Sequence, residues 1–278
     1  MRSYLYESIS RSFATKFLTS QSDALALLTR PANSQGSRFV IGEFNLQNRS
    51  GSSAVAGIGG RLPVSLWQAG HWDDSAYAAG TVFADDTTDW QDAGTDDFLL
   101  GTTSTNDDGF VISCSVPFNI ASIVVGTAAS GGSPAFSLHY SIATAGTGFS
   151  SNWGTISNPY VAPLFTSTGE QLIWFEPPVD WVPVTSATAI INRHGATVPS
   201  GYAILVKQTT AGSVSAGTGN IGVLGRMFLS SEALPDNNIL SNLGGADIYL
   251  PPQCDAVCAA ISVANSQNRI DAKVRYAG

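Results

Sequence analysis

Five aspartates set close together, Asp85, Asp86, Asp89, Asp107 and Asp108, come nearest in this chain to residues whose type and spacing could do chemistry. Hard cations such as calcium take several oxygen ligands at about 2.3–2.6 Å, and aspartates in successive turns can supply them. The two best runs are Asp85-Asp86-Thr87-Thr88-Asp89 and Asn106-Asp107-Asp108-Gly109. Neither completes the roughly twelve-residue calcium loop. A solvated acidic loop is therefore the plainer expectation, with Ca2+ the one ion to test and no organic cofactor expected.

Glu170, Glu176 and Asp180 form a second constellation, flanking Trp174, Phe175 and Trp181. Paired carboxylates beside a sugar could act as acid and as base or nucleophile in glycoside cleavage. Trp153, Trp174 and Trp181 could instead stack on the rings of a host-surface glycan without cleaving it. The plainest reading has Trp174 and Trp181 filling a core, with the acids at strand ends. The three histidines, His71, His139 and His194, stand apart without metal-ligand spacing, and no Gly-x-Ser-x-Gly nucleophile turn occurs. Gly57, Gly59 and Gly60 lack the lysine and helix start that a phosphate cradle requires, and they predict a bend or bulge before Pro63. The chain is expected not to be an enzyme.

The elements that would position these residues divide by charge. Residues 62–192 hold thirteen carboxylates and no lysine or arginine, a formal charge of −13. The remainder holds all thirteen basic residues and eight acids, a formal charge of +5. Two bodies follow: an acidic module between mildly basic flanks. Those flanks are too dilute to read phosphates, so no nucleic-acid partner is expected. Charged residues make up 12% of the chain, about half the usual share, so much of the exterior suits coverage in an assembly. No apolar run is long enough for a membrane span, and the opening residues lack the apolar core of a secretory leader. Three cysteines, Cys114, Cys254 and Cys258, read as buried free thiols in a chain made in the cytoplasm.

Leu5, Ile9, Phe13 and Phe17 recur every four residues, which predicts a helical stripe able to bury its apolar row on a neighbouring subunit. Ser22 and Asp23 predict the cap of a second short helix, so residues 1–35 are expected to be a helical N-terminal arm. From Arg38 the period becomes two. Residues 38–47 and 54–58, around the turn cluster Asn48-Arg-Ser-Gly-Ser, predict a hairpin; residues 259–263 and 269–276 predict another. Short strands between them, among them residues 110–116, 120–125, 135–142, 171–175 and 202–210, predict packed antiparallel sheets. Residues 214–222 read as a glycine-rich connector. The expected fold is all-β: a jelly-roll-like antiparallel sandwich over 76–219, inserted into a smaller β domain made from both chain ends, 36–75 plus 220–278.

Two passages resemble structural proteins of tailed bacteriophage particles. One is Gly80-Thr-Val-Phe-Ala-Asp-Asp-Thr-Thr-Asp89, continuing to Asp96-Asp97-Phe98 and Asp107-Asp108-Gly109-Phe110. The other is Tyr249-Leu250-Pro251-Pro252-Gln253-Cys254-Asp255 with the closing Asn268-Arg269-Ile270. The resemblance implies a β-rich virion subunit present in symmetric copies: a capsid decoration or cement protein, a head fibre or a tail component. Its implied partners are copies of itself and other virion proteins. It carries no catalytic motif. A glycan-binding receptor-recognition module is the alternative function.

Overall fold

A computed structural model describes residues 12–17, 25–29, 38–73, 83–88, 109–127, 135–142, 148–157, 160–161, 169–185, 199–210, 218–229, 234–242, 245–261 and 265–277. The chain divides into two compact units: Met1–Pro63 with Gly225–Gly278, here unit 1, and Val64–Leu224, unit 2. Unit 2 carries thirteen carboxylates against Arg193 and Lys207, a formal −11. Unit 1 carries eleven basic residues against eight acids, a formal +3.

The first half of unit 1 supplies β1 (Ser12–Phe17), β2 (Leu25–Thr29), β3 (Arg38–Gln47) and β4 (Ala56–Leu62). Unit 2 supplies β5 (Trp67–Trp72), β6 (Phe83–Asp85), β7 (Gly109–Cys114), β8 (Ile120–Thr127), β9 (Ala135–Ser141), β10 (Trp153–Thr155), β11 (Tyr160–Val161), β12 (Gly169–Trp174) and β13 (Tyr202–Thr210). β14 (Thr218–Leu229) contains the point where the chain passes back into unit 1. Over 218–222 it replaces the glycine-rich connector expected there, because Gly225 interrupts the alternating row of Ile221, Val223, Met227 and Leu229 and hides the strand's period; residues 214–217 lie outside the described residues. β15 (Ile239–Ser241), β16 (Ile248–Tyr249), β17 (Ala256–Ile261) and β18 (Arg269–Ala277) complete unit 1. Every pairing described is antiparallel, and the fold is all-β, with one short α-helix among the described residues, α1 (Phe149–Asn152).

The N-terminal segment is not helical where it is described. β1 pairs along β18, with Phe13 opposite Lys273 and Phe17 opposite Arg269, and β2 pairs along β17. A spacing of four explains the error: it keeps residues on one face of a helix, and it keeps them on one face of a strand as well. Competition from an open strand edge then decides. The interface expected at Phe13 and Phe17 therefore becomes an intrachain ladder; Leu5 and Ile9 lie outside the described residues.

The two expected hairpins are arches. β3 and β4 lie in different sheets, and so do β17 and β18. β18 sits between β1 and β3, while β17 sits between β2 and β4. Three passes of the chain thus each give one strand to each sheet of unit 1. β18 keeps its core row, with Ile270, Ala272 and Val274 at most 1% exposed, under a charged row. In that row Arg269 meets Asp271 at 2.9 Å, Lys273 meets Glu43 at 3.7 Å and Arg275 pairs with Asp247. Such partly exposed pairs contribute little stability each but fix which face is wet.

β4 runs against β17 in unbroken register from Ala56↔Ile261 to Arg61↔Ala256, so its glycines make no bulge. Gly60 instead allows a close approach: a Cβ there would lie 2.9 Å from the Cys254 Cβ and closer still to its sulfur. Next to it, Arg61 Nε and Nη2 donate to the two Asp255 carboxylate oxygens at 2.8 and 3.2 Å. That fork holds the Arg61 guanidinium above its ordinary pKa, against the opposing effect of burial. All three cysteines are free and buried.

The arches are tied at their turns by asparagine. Asn48 is fully buried; its Nδ2 donates to Leu234 O and Ser52 O, both at 2.8 Å. Its Oδ1 accepts from Ser50 N at 3.0 Å and Ser50 Oγ at 2.7 Å. Arg49 N donates to Asn268 Oδ1 at 2.7 Å, joining the first arch's turn to the last.

In unit 2 the largest sheet runs β10-β9-β13-β7-β5-β6. β13 lies between β7 and β9, and Ala203, Ile204, Leu205 and Val206 are at most 1% exposed. Both faces of this strand are thus covered, as its doubly apolar run predicts. One face packs Trp72, Val111, Ala203 and Leu205 with Trp153 and Val184. β11, β12 and β8 pair side by side in a different sheet. Phe118, Phe175, Trp181 and Tyr202 form a chain of edge-to-face contacts at 5.3–5.8 Å between centroids.

Candidate functional site

The residues singled out from the sequence are placed by packing, and most are used up by it. Trp153 and Trp174 are 1% exposed and Trp181 is 8% exposed. Trp153 stands edge-on to Trp72 at 5.4 Å, and Trp181 Nε1 donates to Ala203 O at 3.2 Å. Their faces are covered by the protein, so none of the three offers a stacking platform to a sugar: an apolar ring of this size is worth more inside the core. Glu176 and Asp180 lie exposed at the ends of that aromatic run. Asp180 Oδ1 accepts from Tyr140 Oη at 2.9 Å, and burial with this bond raises the Tyr140 phenol above its ordinary pKa.

Asp85 and Asp86 do not converge on a common point for a cation. Asp85 Oδ1 closes a turn, accepting from Thr87 N at 3.1 Å and from the Thr87 hydroxyl. Asp86 Oδ2 reaches His71 instead, accepting from its backbone N at 3.2 Å and facing Nδ1 at 3.1 Å. Together with Thr87 Oγ1 on Ala69, these bonds pin the end of β6 to β5. Among the described residues no group of three or more His, Cys, Asp or Glu side chains could hold a metal ion. Asp89, Asp107 and Asp108 lie outside the described residues. His139 is 7% exposed, with Nε2 2.8 Å from Ser137 Oγ, Nδ1 3.4 Å from Thr155 Oγ1 and its ring edge-on to Phe149. It is a core histidine satisfied by hydroxyls.

What the sequence did not point to is a cleft of about 410 Å3 in unit 2. Ser65 and Leu66, in the short turn Val64–Leu66, open it, followed by Trp67 and Gln68 at the start of β5. Ser113 near the end of β7, Ser115 just beyond it, and Pro183, Val184, Thr185, Ser200 and Gly201 also line it. The walls are backbone-tied: Ser115 N donates to Leu66 O at 2.9 Å, and Val184 and Gly201 exchange N–H···O bonds at 2.7 and 3.1 Å. Gly201 takes φ +94°, and a Cβ there would lie 2.5 Å from Cys114 O, so only glycine brings this wall so close.

Gln68 stands opposite Ser113 in the ladder, and Ala203 stands opposite it on the other side. Gln68 Oε1 accepts from Ser200 N and Ser200 Oγ, both at 3.3 Å. Ser113 is fully buried, and its Oγ has no hydrogen-bond partner. Among the described residues no side chain lining the cleft is charged. Cys114 points to the opposite face, where burial pushes its thiol above the ordinary value. One signal for this site was present in the sequence: Ser113 is a hydroxyl on the core-facing row of an otherwise apolar strand.

No family model, no curated protein and no solved structure matches the chain.

Proposed function

We propose that this chain is a non-enzymatic structural subunit of a tailed-phage virion, a capsid-associated decoration, cement or fibre protein that works as a homo-oligomer. The observation that carries the reading is the division of charge between units, −11 on Val64–Leu224 and +3 on the unit built from both chain ends. A mildly basic unit suits attachment to an acidic lattice, and an acidic one stays solvated and repels its copies. Unit 1 also presents large apolar side chains on edge strands: Ile239 in β15 is 50% exposed and Tyr249 in β16 is 60% exposed. Exposed apolar side chains of this size are surface that a neighbouring subunit can cover. The resemblance of two passages to virion proteins suggests the setting.

Sedimentation velocity on the full chain tests the reading. Self-association that weakens in Ile239→Lys and Tyr249→Lys is expected. A monomer at every concentration tried counts against it. Hydrolysis of a polysaccharide that is lost in Glu176→Gln overturns the non-enzymatic part.

A further inference from the structure

We propose that two copies of this chain pack face to face, across a two-fold axis, through the charged face of the unit 1 sheet that runs β1-β18-β3, with β15 and β16 along its far edge. The inference rests on the homo-oligomeric part of the proposed function and deepens it by naming the surface and its geometry.

Register fixes what this face presents. Residues directly opposite one another in an antiparallel pair share a face. Gln47 stands opposite both Arg269 and Ile239, and Asn45 opposite both Asp271 and Ser241. Val40 stands opposite both Arg275 and Tyr249. The charged row of β18, Ile239 and Tyr249 therefore lie on one side of the sheet, and the buried Ile270, Ala272 and Val274 on the other. β1 sets Phe13 and Phe17 opposite Lys273 and Arg269, at register positions of the charged side. Among the described residues three large hydrophobic side chains are exposed, and two of them, Ile239 and Tyr249, belong to this face. They mark its two ends, about 20 Å apart at roughly 3.3 Å per residue along β3.

The face is neutral in itself. Arg269 meets Asp271, Lys273 meets Glu43 and Arg275 meets Asp247, three cations against three anions. Charges paired in place can be covered without leaving a lone charge in a dry contact. Unit 2, at a formal −11, repels a copy of itself instead. The area suffices as well. Four strands at about 4.8 Å spacing, over the nine residues of β18 at about 3.3 Å each, cover roughly 570 Å2. Two copies then bury about 1,100 Å2, the low end of specific interfaces.

The pattern selects the axis. A two-fold axis lying across the strands reverses their direction and sets each strand over its own copy. Ile239 then falls over Tyr249 of the second copy, and Asp271 over Lys273 of the second copy. An axis along the strands would set β15 over β1 and leave Ile239 and Tyr249 apart.

The test is a charge exchange on the full chain, read by sedimentation velocity. Asp271→Lys alone and Lys273→Asp alone each set like charges across the contact, and each is expected to raise the dimer Kd about tenfold. An equimolar mixture of the two variants sets opposite charges across it and is expected to associate at close to the native Kd. A short thiol-specific cross-linker is expected to join Ile239→Cys to Tyr249→Cys in a mixture and neither variant to itself, since the native cysteines are buried. Native self-association with a charge mixture no tighter than its parts, or Ile239→Cys cross-linking to itself, overturns this inference and leaves the homo-oligomer reading standing. A native monomer at every concentration overturns both.

Discussion

Replacing Asn48 by alanine is expected to cost unit 1 about 2–3 kcal/mol, the net worth of hydrogen bonds that water replaces only in part. The side chain makes four: two accepted from Ser50 and two donated, to Ser52 O and Leu234 O. Only the bond to Leu234 is fully buried, and Leu234 O keeps the bond it accepts from Ala54 N at 2.9 Å. No carbonyl is therefore left wholly bare, and the loss stays below the cost of an orphaned group. The main-chain bonds of Asn48 to Asn237 and Asn238 survive the substitution. Asn48→Asp is expected to be worse at neutral pH, because an acceptor then faces two carbonyls and a charge is buried. Its folded-state pKa would be raised, so the variant recovers stability as the pH falls and the carboxyl protonates. All six tryptophans belong to unit 2, so their fluorescence is silent here. Urea unfolding followed by circular dichroism, with hydrogen exchange read at Ser50, Ala54 and Leu234, is the assay. A loss under about 0.5 kcal/mol with unchanged protection at those amides would refute the view that Asn48 ties the arch.

Gly60→Ala is expected to destabilise by about 1–3 kcal/mol through collision with Cys254, and Gly60→Ala/Cys254→Ala to recover part of that in a double-mutant cycle. Cys114 gives a pH dependence of defined sign. Its thiol is raised above its ordinary 9.0 by burial, so its stabilising contribution is complete below about pH 9 and lost as pH rises through the higher folded value. Melting curves from pH 8 upward are expected to show the loss, with a shallower slope in Cys114→Ala and a remainder of the same sign from Tyr140. The native chain is expected to show no reactive thiol toward a disulfide reagent until it unfolds, since Cys114, Cys254 and Cys258 are all buried.

Elements whose period is unambiguous were legible in the sequence. β18 alternates core and charge along its length, and β13 is apolar on both faces; each forms where expected. The N-terminal segment was not legible, because a spacing of four fits a helix and a strand alike. The turn cluster after Asn48 announces a reversal, but local chemistry does not say whether the returning strand joins the same sheet or the facing one. Partners some 200 residues away decided that. Gly60 was visible as a glycine, while its reason, the thiol of Cys254 against its backbone, is a long-range fact. The cleft was hidden for the same cause: Gln68, Ser113 and Ser200 are unremarkable in sequence and become a site only when β5, β7 and the wall at Gly201 are brought side by side. The tryptophans allowed two readings from type alone, stacking platform or core, and the burial of Trp174 and Trp181 agrees with the plainer one, the core.

Immunogold electron microscopy of gradient-purified phage particles from a culture producing this chain, with antibody against residues 64–224, bears most directly on the virion role. Label at regularly repeated surface positions, with the chain present in the particles at a fixed ratio to the shell protein, is the expected result. Particles without label, with the chain recovered entirely in the soluble fraction, would contradict it.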